Sequence, residues 1–225
     1  MHLKDILDEL SRLGKNVFTT YDVAKLIGKP TPYTSLILSK SKYITRIERG
    51  KYYINGTDPY EIASSVIFPA YVSLLAGLKY YNLIDQNVIL YSVIGLKRHK
   101  RVDLNGYGIE FIKVKRSLFF GYSKKAEAYI AEPEKLIVDY AYLNKDLSIL
   151  NEAIKNAVDD KLIDAKKLET YVIKAGGNTL ANKIGLLMEL NGIDINGLKD
   201  HVYSNYIKVK LGIKGISKKW RVEYD

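Results

Sequence analysis

Residues 17–55 constrain the fold of this chain more than any other stretch. A short helix is predicted after Thr20, which can act as its N-cap, and it ends at the turn Gly28-Lys29-Pro30. A second helix follows, and from Ile44 to Ile54 apolar and polar residues alternate around an Arg49-Gly50 turn, as in a β-hairpin. Two short helices joined by a tight turn and followed by a basic hairpin are typical of the winged helix-turn-helix, which binds DNA. A plain helical bundle is the alternative.

A further helix is predicted ahead of this stretch, in residues 2–13, where apolar residues recur at helical spacing until Gly14. In the second helix of the pair, Leu36 and Ile37 are expected to face the core. Hydroxyl-bearing side chains at 33–35 stand near its start and are candidates for reading bases in the major groove, while nearby lysines and the hairpin cations would bind phosphates. The candidate DNA-contacting residues are Thr31, Tyr33, Thr34, Ser35, Ser39, Lys40, Lys42, Arg46, Arg49 and Lys51.

Charge and composition narrow the classes of partner and of chemistry. The formal net charge is +10, which predicts an anionic partner, with nucleic acid ahead of a membrane surface. The chain has no Cys and only 3 His, so disulfides, thiolate nucleophiles and clustered His metal sites are not expected. The sequence has no apolar run long enough to span a membrane and no signal-peptide pattern, so a cytoplasmic protein without a membrane partner is expected.

The positive charge is concentrated in separate stretches. Residues 96–125 carry nine Lys and Arg against two Asp and Glu, a larger excess than the ten against five of residues 1–55. The cations of residues 96–125 are a candidate for a second nucleic-acid surface. Lysines on a sheet also protect its edges from aggregation, and the sequence leaves both interpretations open. The residues of this candidate second basic surface are Lys97, Arg98, Lys100, Arg101, Lys113, Lys115 and Arg116.

The pattern as a whole predicts an α+β chain, with a winged helix-turn-helix domain at 1–55 and a larger α+β domain at 56–225. The turn-rich Asn55–Pro59 marks the boundary. Period-two alternation between Val88 and Ile130, with a hairpin at Asn105-Gly106, predicts an antiparallel sheet. Helices are predicted at 60–66, 71–83, 132–143, 146–157, 160–175 and 178–191, with Asp159-Asp160 starting the fifth of these, and two short strands are predicted in the basic C-terminal stretch.

Motifs for catalysis are missing at the spacings that chemistry requires. A restriction-type nuclease needs Glu-x-Lys, but Glu110 and Glu132 are each one residue too far from the following lysine. The sequence contains no Walker loop and no Gly-Ser followed by Asp-x-Asp. Spacing alone does not exclude a Ser/His/Asp triad. Glu134 and Asp139 are interpreted as helix-capping or salt-bridge residues, so no catalytic residue, metal or cofactor is expected.

Several segments, in order, resemble the AbiEi family of abortive-infection antitoxins. FTTYDVAKLIG with RIERGKYYI resembles the family's N-terminal winged helix. YVSLLAGLKYYNLI resembles its Ser-Leu…Ala-Leu-x-Tyr-x-Gly-Leu segment, with Asn82 where Gly is usual, and FFGY with IAEPEKLIVDYAYL resembles its Gly-Tyr strand and following helix, with Leu136 where a small residue is usual. The resemblance extends through about Leu190.

The resemblance implies a transcriptional autorepressor that binds operator repeats in double-stranded DNA. It also implies that the C-terminal domain takes part, directly or indirectly, in neutralising a nucleotidyltransferase-like toxin encoded beside it. Two alternatives stay open: a mobile-element or viral regulator without a toxin partner, and a nucleic-acid-processing enzyme with a winged-helix targeting domain. Both a monomer and a homodimer are compatible with the sequence.

Overall fold

The N-terminal module, which we define as residues 3–55, packs three helices on one small sheet. The computed structural model describes residues 3–225, so His2, which the first predicted helix included, lies outside the described residues. The elements of the module are α1 (Leu3–Arg12), β1 (Val17–Thr19), α2 (Thr20–Ile27), α3 (Thr31–Ser39), β2 (Ile44–Glu48) and β3 (Lys51–Ile54). The strands lie in the order β1-β3-β2 and both pairs are antiparallel.

A capping box starts α2 one residue earlier than predicted. The Thr19 hydroxyl accepts the Asp22 backbone N–H at 3.2 Å, and the Asp22 carboxylate accepts the Thr19 N–H at 2.8 Å. The expectation that Thr20 is the cap was therefore wrong. Gly28 ends the helix with a φ of +64°, a conformation that Gly adopts without a steric penalty.

The sheet of the N-terminal module is covered on both faces. Phe18 and Tyr52 point toward the helices and stack with ring centroids 6.1 Å apart, in one core with buried residues of α1, α2 and α3. On the opposite face, Val17, Ile47 and Tyr53 pack against the apolar core of the following segment. Since successive strand residues point to opposite faces, this alternation lets one short sheet join two cores.

Residues 59–131 build a six-stranded mixed sheet, in the order β6-β7-β5-β4-β9-β8. Its elements, with two helices, are α4 (Pro59–Ser65), β4 (Ala70–Ser73), α5 (Leu74–Tyr80), β5 (Leu90–Gly95), β6 (Val102–Leu104), β7 (Tyr107–Lys113), β8 (Tyr122–Lys125) and β9 (Ala128–Ala131). The hairpin at Asn105-Gly106 is confirmed. The prediction of an antiparallel sheet was wrong, because β5 pairs with β7 in parallel and β4 pairs with β9 in parallel. Residues 71–73 lie in strand β4, whereas the sequence pattern placed them at the start of a helix over 71–83.

The remaining helices enclose the largest apolar core. They are α6 (Pro133–Leu143), α7 (Ser148–Asp159), α8 (Ala165–Ala175) and α9 (Leu180–Leu190), close to the predicted segments. Asp159 ends α7 rather than starting the next helix, and the cap of α8 is Asp164, whose carboxylate accepts the N–H groups of Lys166 and Lys167. The two predicted C-terminal strands are β10 (Ile207–Val209) and β12 (Val222–Tyr224), with the unpredicted β11 (Gly215–Ser217) beside β12. The chain thus has the mixed α+β fold that the sequence predicted.

Candidate nucleic-acid interface

One side of α3 presents polar side chains to solvent. Thr31, Ser35 and Lys40 are exposed, and Tyr33 retains 51% of its surface. Ser39 is also exposed, and its hydroxyl donates to the Leu36 carbonyl at 2.9 Å. Of the three candidates for base recognition, Tyr33 and Ser35 are therefore accessible.

Thr34 requires a correction. Its side chain is 0% exposed, and its hydroxyl donates to the carbonyl of Pro30 at 3.1 Å. Together with Leu38, which is 1% exposed, it forms the buried side of α3. Thr34 therefore fixes the start of the helix and has no surface with which to contact a base.

Leu36 also lies on the opposite side from the one expected. It is 55% exposed, one helical turn from Tyr33, while Ile37 is half-buried. An apolar side chain on a reading helix can contact the methyl group of thymine. We therefore add Leu36 to the candidate interface. The signal that could have placed it is the pairing of Thr34 with Leu38 at helical spacing on the buried side.

The cationic side chains after α3 differ in exposure and in whether they already have a hydrogen-bond or ion-pair partner. Lys42, Arg46 and Arg49 are exposed, and the Arg46 Nε donates to the Glu48 carbonyl at 3.1 Å. The Lys51 side chain is only 21% exposed, because its Nζ donates to the Val66 carbonyl and lies 3.2 Å from a Glu48 carboxylate oxygen. The expectation that Lys51 binds a phosphate was wrong, since it fastens the hairpin to the following segment.

A second contact joins the hairpin to the basic loop after β5. The His99 Nε2 lies 3.2 Å from Glu48 Oε2, and its Nδ1 lies 2.7 Å from the Lys100 carbonyl oxygen. The ring also packs edge-on against Phe111, with centroids 4.7 Å apart. The hairpin tip is thus docked, and the loop that carries Lys97, Arg98, Lys100 and Arg101 lies directly beside it. No sequence motif indicated this pairing.

Strand direction brings the two basic runs of the sheet together. Because β5 and β7 are parallel, their carboxyl ends meet at one edge, where Gly95 pairs with Lys113. An open cleft of about 700 Å³ lies there, lined by Leu96, Arg98, Lys113, Val114, Lys115 and Arg116. Arg101 is exposed but paired with Asp103 at 2.7 Å. The structure therefore brings four of the seven residues of the second basic surface, Arg98, Lys113, Lys115 and Arg116, together in one cleft.

The acidic residues that the sequence singled out have structural partners. Asp139 forms a buried ion pair with Lys135 and accepts hydrogen bonds from Ser73 at 2.9 Å and Tyr71 at 3.2 Å. Burial raises the pKa of Asp139 and lowers the pKa of Lys135, each opposed by the charge of the other. Glu134 accepts the Asp164 N–H at 3.0 Å and lies 2.8 Å from the Lys167 amine. The salt-bridge interpretation is confirmed for both.

Metal-binding groups, membrane-spanning helices and similar proteins were each searched for. Within residues 3–225, no group of three or more His, Asp or Glu side chains is placed to hold a metal ion. None of the helices in that range combines the length and apolar character of a membrane span. No family model matches the chain, and no curated protein is significantly similar to it in sequence.

Proposed function

We propose that this chain is a sequence-specific DNA-binding repressor that acts in the cytoplasm and inserts α3 into the major groove of operator DNA. The observation that carries the proposal is the exposed polar side of α3, framed by exposed cations at Lys40, Lys42 and Arg46. The order of helices and strands in the N-terminal module supports the proposal, because a winged helix-turn-helix would have the same order, with β2 and β3 as its wing. Tyr33, Ser35 and Leu36 contact base edges in this proposal.

The docked hairpin changes which groups bind phosphates. Glu48 and Lys51 are engaged with each other and with the second domain, so the hairpin contributes mainly Arg46 and Arg49. The neighbouring loop offers the exposed cations Lys97, Arg98 and Lys100. These loop residues supply the phosphate contacts that a free wing tip would otherwise make.

The resemblance to the AbiEi antitoxins supports a more specific proposal. The repressor controls its own operon and takes part in neutralising a nucleotidyltransferase-like toxin encoded next to it. Growth rescue on co-expression with the adjacent reading frame supports this role. If the adjacent reading frame is not toxic, or if its toxicity persists on co-expression, the antitoxin role is contradicted and the chain is a regulator without a toxin partner.

Nuclease footprinting on the chain's own promoter tests DNA recognition. A repressor protects a discrete site at protein concentrations that leave flanking DNA open to cleavage. Uniform protection of all sequences over the same concentration range contradicts specific recognition and leaves only electrostatic binding.

A further inference from the structure

Three aromatic side chains form a row at one end of the six-stranded sheet. The ring centroid of Phe68 lies 6.4 Å from that of Tyr129, which lies 6.2 Å from that of Tyr122. Tyr129 pairs with Lys124 across β8 and β9, and Tyr122 stands two residues before Lys124, so these side chains share one face of the sheet. We call Phe68, Tyr129 and Tyr122 the aromatic row.

Phe68 is the outermost member and is 72% exposed. Its neighbours are fixed: the Val66 carbonyl accepts a hydrogen bond from Lys51, and the Ile67 side chain packs closely over Gly95. The backbone on each side of Phe68 is therefore held while the ring projects into solvent. Burying a Phe side chain stabilises a fold, so this placement forgoes a stabilising contact.

At the other end of the row, Tyr122 is supported from below. It stacks on the buried Tyr71 with centroids 4.6 Å apart and rings only 10° from parallel. Tyr122 and Tyr129 are half-buried, so part of each side chain stays accessible beside Phe68. The row thus combines one projecting ring with two rings held in place by the sheet.

Cations flank the row on the side of the cleft described above. On the β8 side, Lys124 is exposed but paired with Glu127 at 2.7 Å, and Lys125 alternates to the opposite face of the sheet. The cleft with Arg98, Lys113, Lys115 and Arg116 lies on the other side, because Ala70, which follows Phe68-Pro69, pairs with Gly95 at the end of β5. The surface on the cleft side of the row is therefore positive, and the Lys124–Glu127 pair leaves the β8 side without net charge.

We propose that this surface binds single-stranded nucleic acid, with Phe68 stacking on an unpaired base and the flanking cations binding the phosphates. A basic groove with exposed aromatic rings is the arrangement that such binding requires, since every base has a flat face on which a ring can stack. In a duplex those faces are already covered by neighbouring base pairs. The site is separate from α3 and goes beyond the proposed repressor function.

A Phe68→Trp variant of the full chain tests stacking directly. The only natural tryptophan, Trp220, is 0% exposed, so the new indole is the solvent-accessible reporter. Oligothymidylate or oligouridylate of about twelve nucleotides, a length within the usual site size, should quench its fluorescence. Inorganic polyphosphate, which offers phosphates without bases, should not. Stronger binding of the uridylate assigns RNA as the ligand, and stronger binding of the thymidylate assigns single-stranded DNA. Quenching by neither oligonucleotide, or equally by polyphosphate, overturns the proposal.

Affinity measurements with matched variants complete the test. Phe68→Ala should weaken oligonucleotide binding about tenfold, as expected for the loss of one stacked base. Ile89→Ala is the control, since Ile89 is 71% exposed but precedes β5 at the opposite end of the strand. Equal affinities of the two variants, or duplex binding with the same dependence on Phe68, overturn the proposal. A Tyr33→Ala/Ser35→Ala variant should keep oligonucleotide binding, so failure of α3 as a DNA reader is distinguished from failure of this site.

Discussion

His99 lies 3.2 Å from Glu48, and this contact joins the basic loop after β5 to the hairpin of the N-terminal module. Glu48 also pairs with Lys51, whose amine reaches the Val66 carbonyl. The three side chains form a continuous link between the two parts of the chain. The hairpin is therefore a fixed element that holds the basic loop against the N-terminal module.

Acid should weaken this link. Burial alone would raise the pKa of Glu48, but hydrogen bonds and charges from Lys51 and His99 hold it below its usual value. A carboxylate with a lowered folded-state pKa stabilises the fold above its unfolded value, about 4.3, and that stabilisation is lost as pH falls through the folded value. Glu48→Gln should flatten the acid limb of the stability curve measured by urea unfolding. The exposed Glu152→Gln is the control, and an unchanged acid limb in Glu48→Gln would contradict the link.

Salt dependence of duplex binding should separate free cations from engaged ones. Lys40→Ala removes an exposed amine beside α3, so the log–log slope of affinity against salt should fall by about 0.9. Lys51→Ala should leave the slope unchanged, because that amine is occupied by Val66 and Glu48. A slope change in Lys51→Ala equal to that in Lys40→Ala would show that the hairpin lysine binds phosphate after all.

The two adjacent threonines at the start of α2 should differ in their effect on stability. Thr19→Ala removes the hydroxyl side of the capping box, in which the Thr19 oxygen accepts the Asp22 N–H, and should lower the free energy of unfolding by about 1 kcal/mol. The Thr20 hydroxyl is buried and lacks a hydrogen-bond partner among the described residues, so Thr20→Ala should be close to neutral. Urea unfolding of both variants checks the order, and a larger loss for Thr20→Ala would place the cap there.

Breaking the buried ion pair between Lys135 and Asp139 should destabilise the fold around α6. Asp139→Asn leaves Lys135 charged and unpaired while keeping one carboxamide oxygen as an acceptor for Ser73 and Tyr71, so it should cost about 3 kcal/mol. Lys135→Met/Asp139→Asn removes the stranded charge and should recover most of this loss. Equal stability of wild type and Asp139→Asn in urea would remove the structural role assigned to the pair.

Much of the fold was predictable because most helices bury a single stripe and carry local stop signals. Residues 70–73 show where that reasoning fails. Ala, Tyr, Val and Ser at these positions are all buried, since β4 is central and covered on both faces, so the strand has no polar alternation. The apolar residues of β4 continue directly into those of α5, so the sequence pattern predicts one helix over both elements. The parallel pairings depend on crossovers that no local pattern specifies.

The helix pair and hairpin that carry the candidate interface were predictable, but the surroundings of several of its side chains were not. The sequence of a helix as short as α3 does not fix the rotation of the helix about its axis, and that rotation decides which residues are buried. Thr34 and Leu36 were therefore assigned to the wrong sides. The role of Lys51 depends on a carbonyl fifteen residues away, and that of His99 on a carboxylate much farther along the chain. These are tertiary contacts, which sequence periodicity does not encode.

The ratio of affinities for promoter and random duplex DNA, measured for wild type and a Tyr33→Ala/Ser35→Ala variant at one salt concentration, tests the central claim most directly. Wild type should bind promoter DNA at least about a thousandfold more tightly than random DNA. The variant should lose roughly tenfold or more of that preference while keeping its affinity for random DNA, because base contacts carry discrimination and phosphate contacts do not. A wild-type ratio near one, or an unchanged ratio in the variant, would contradict recognition through α3.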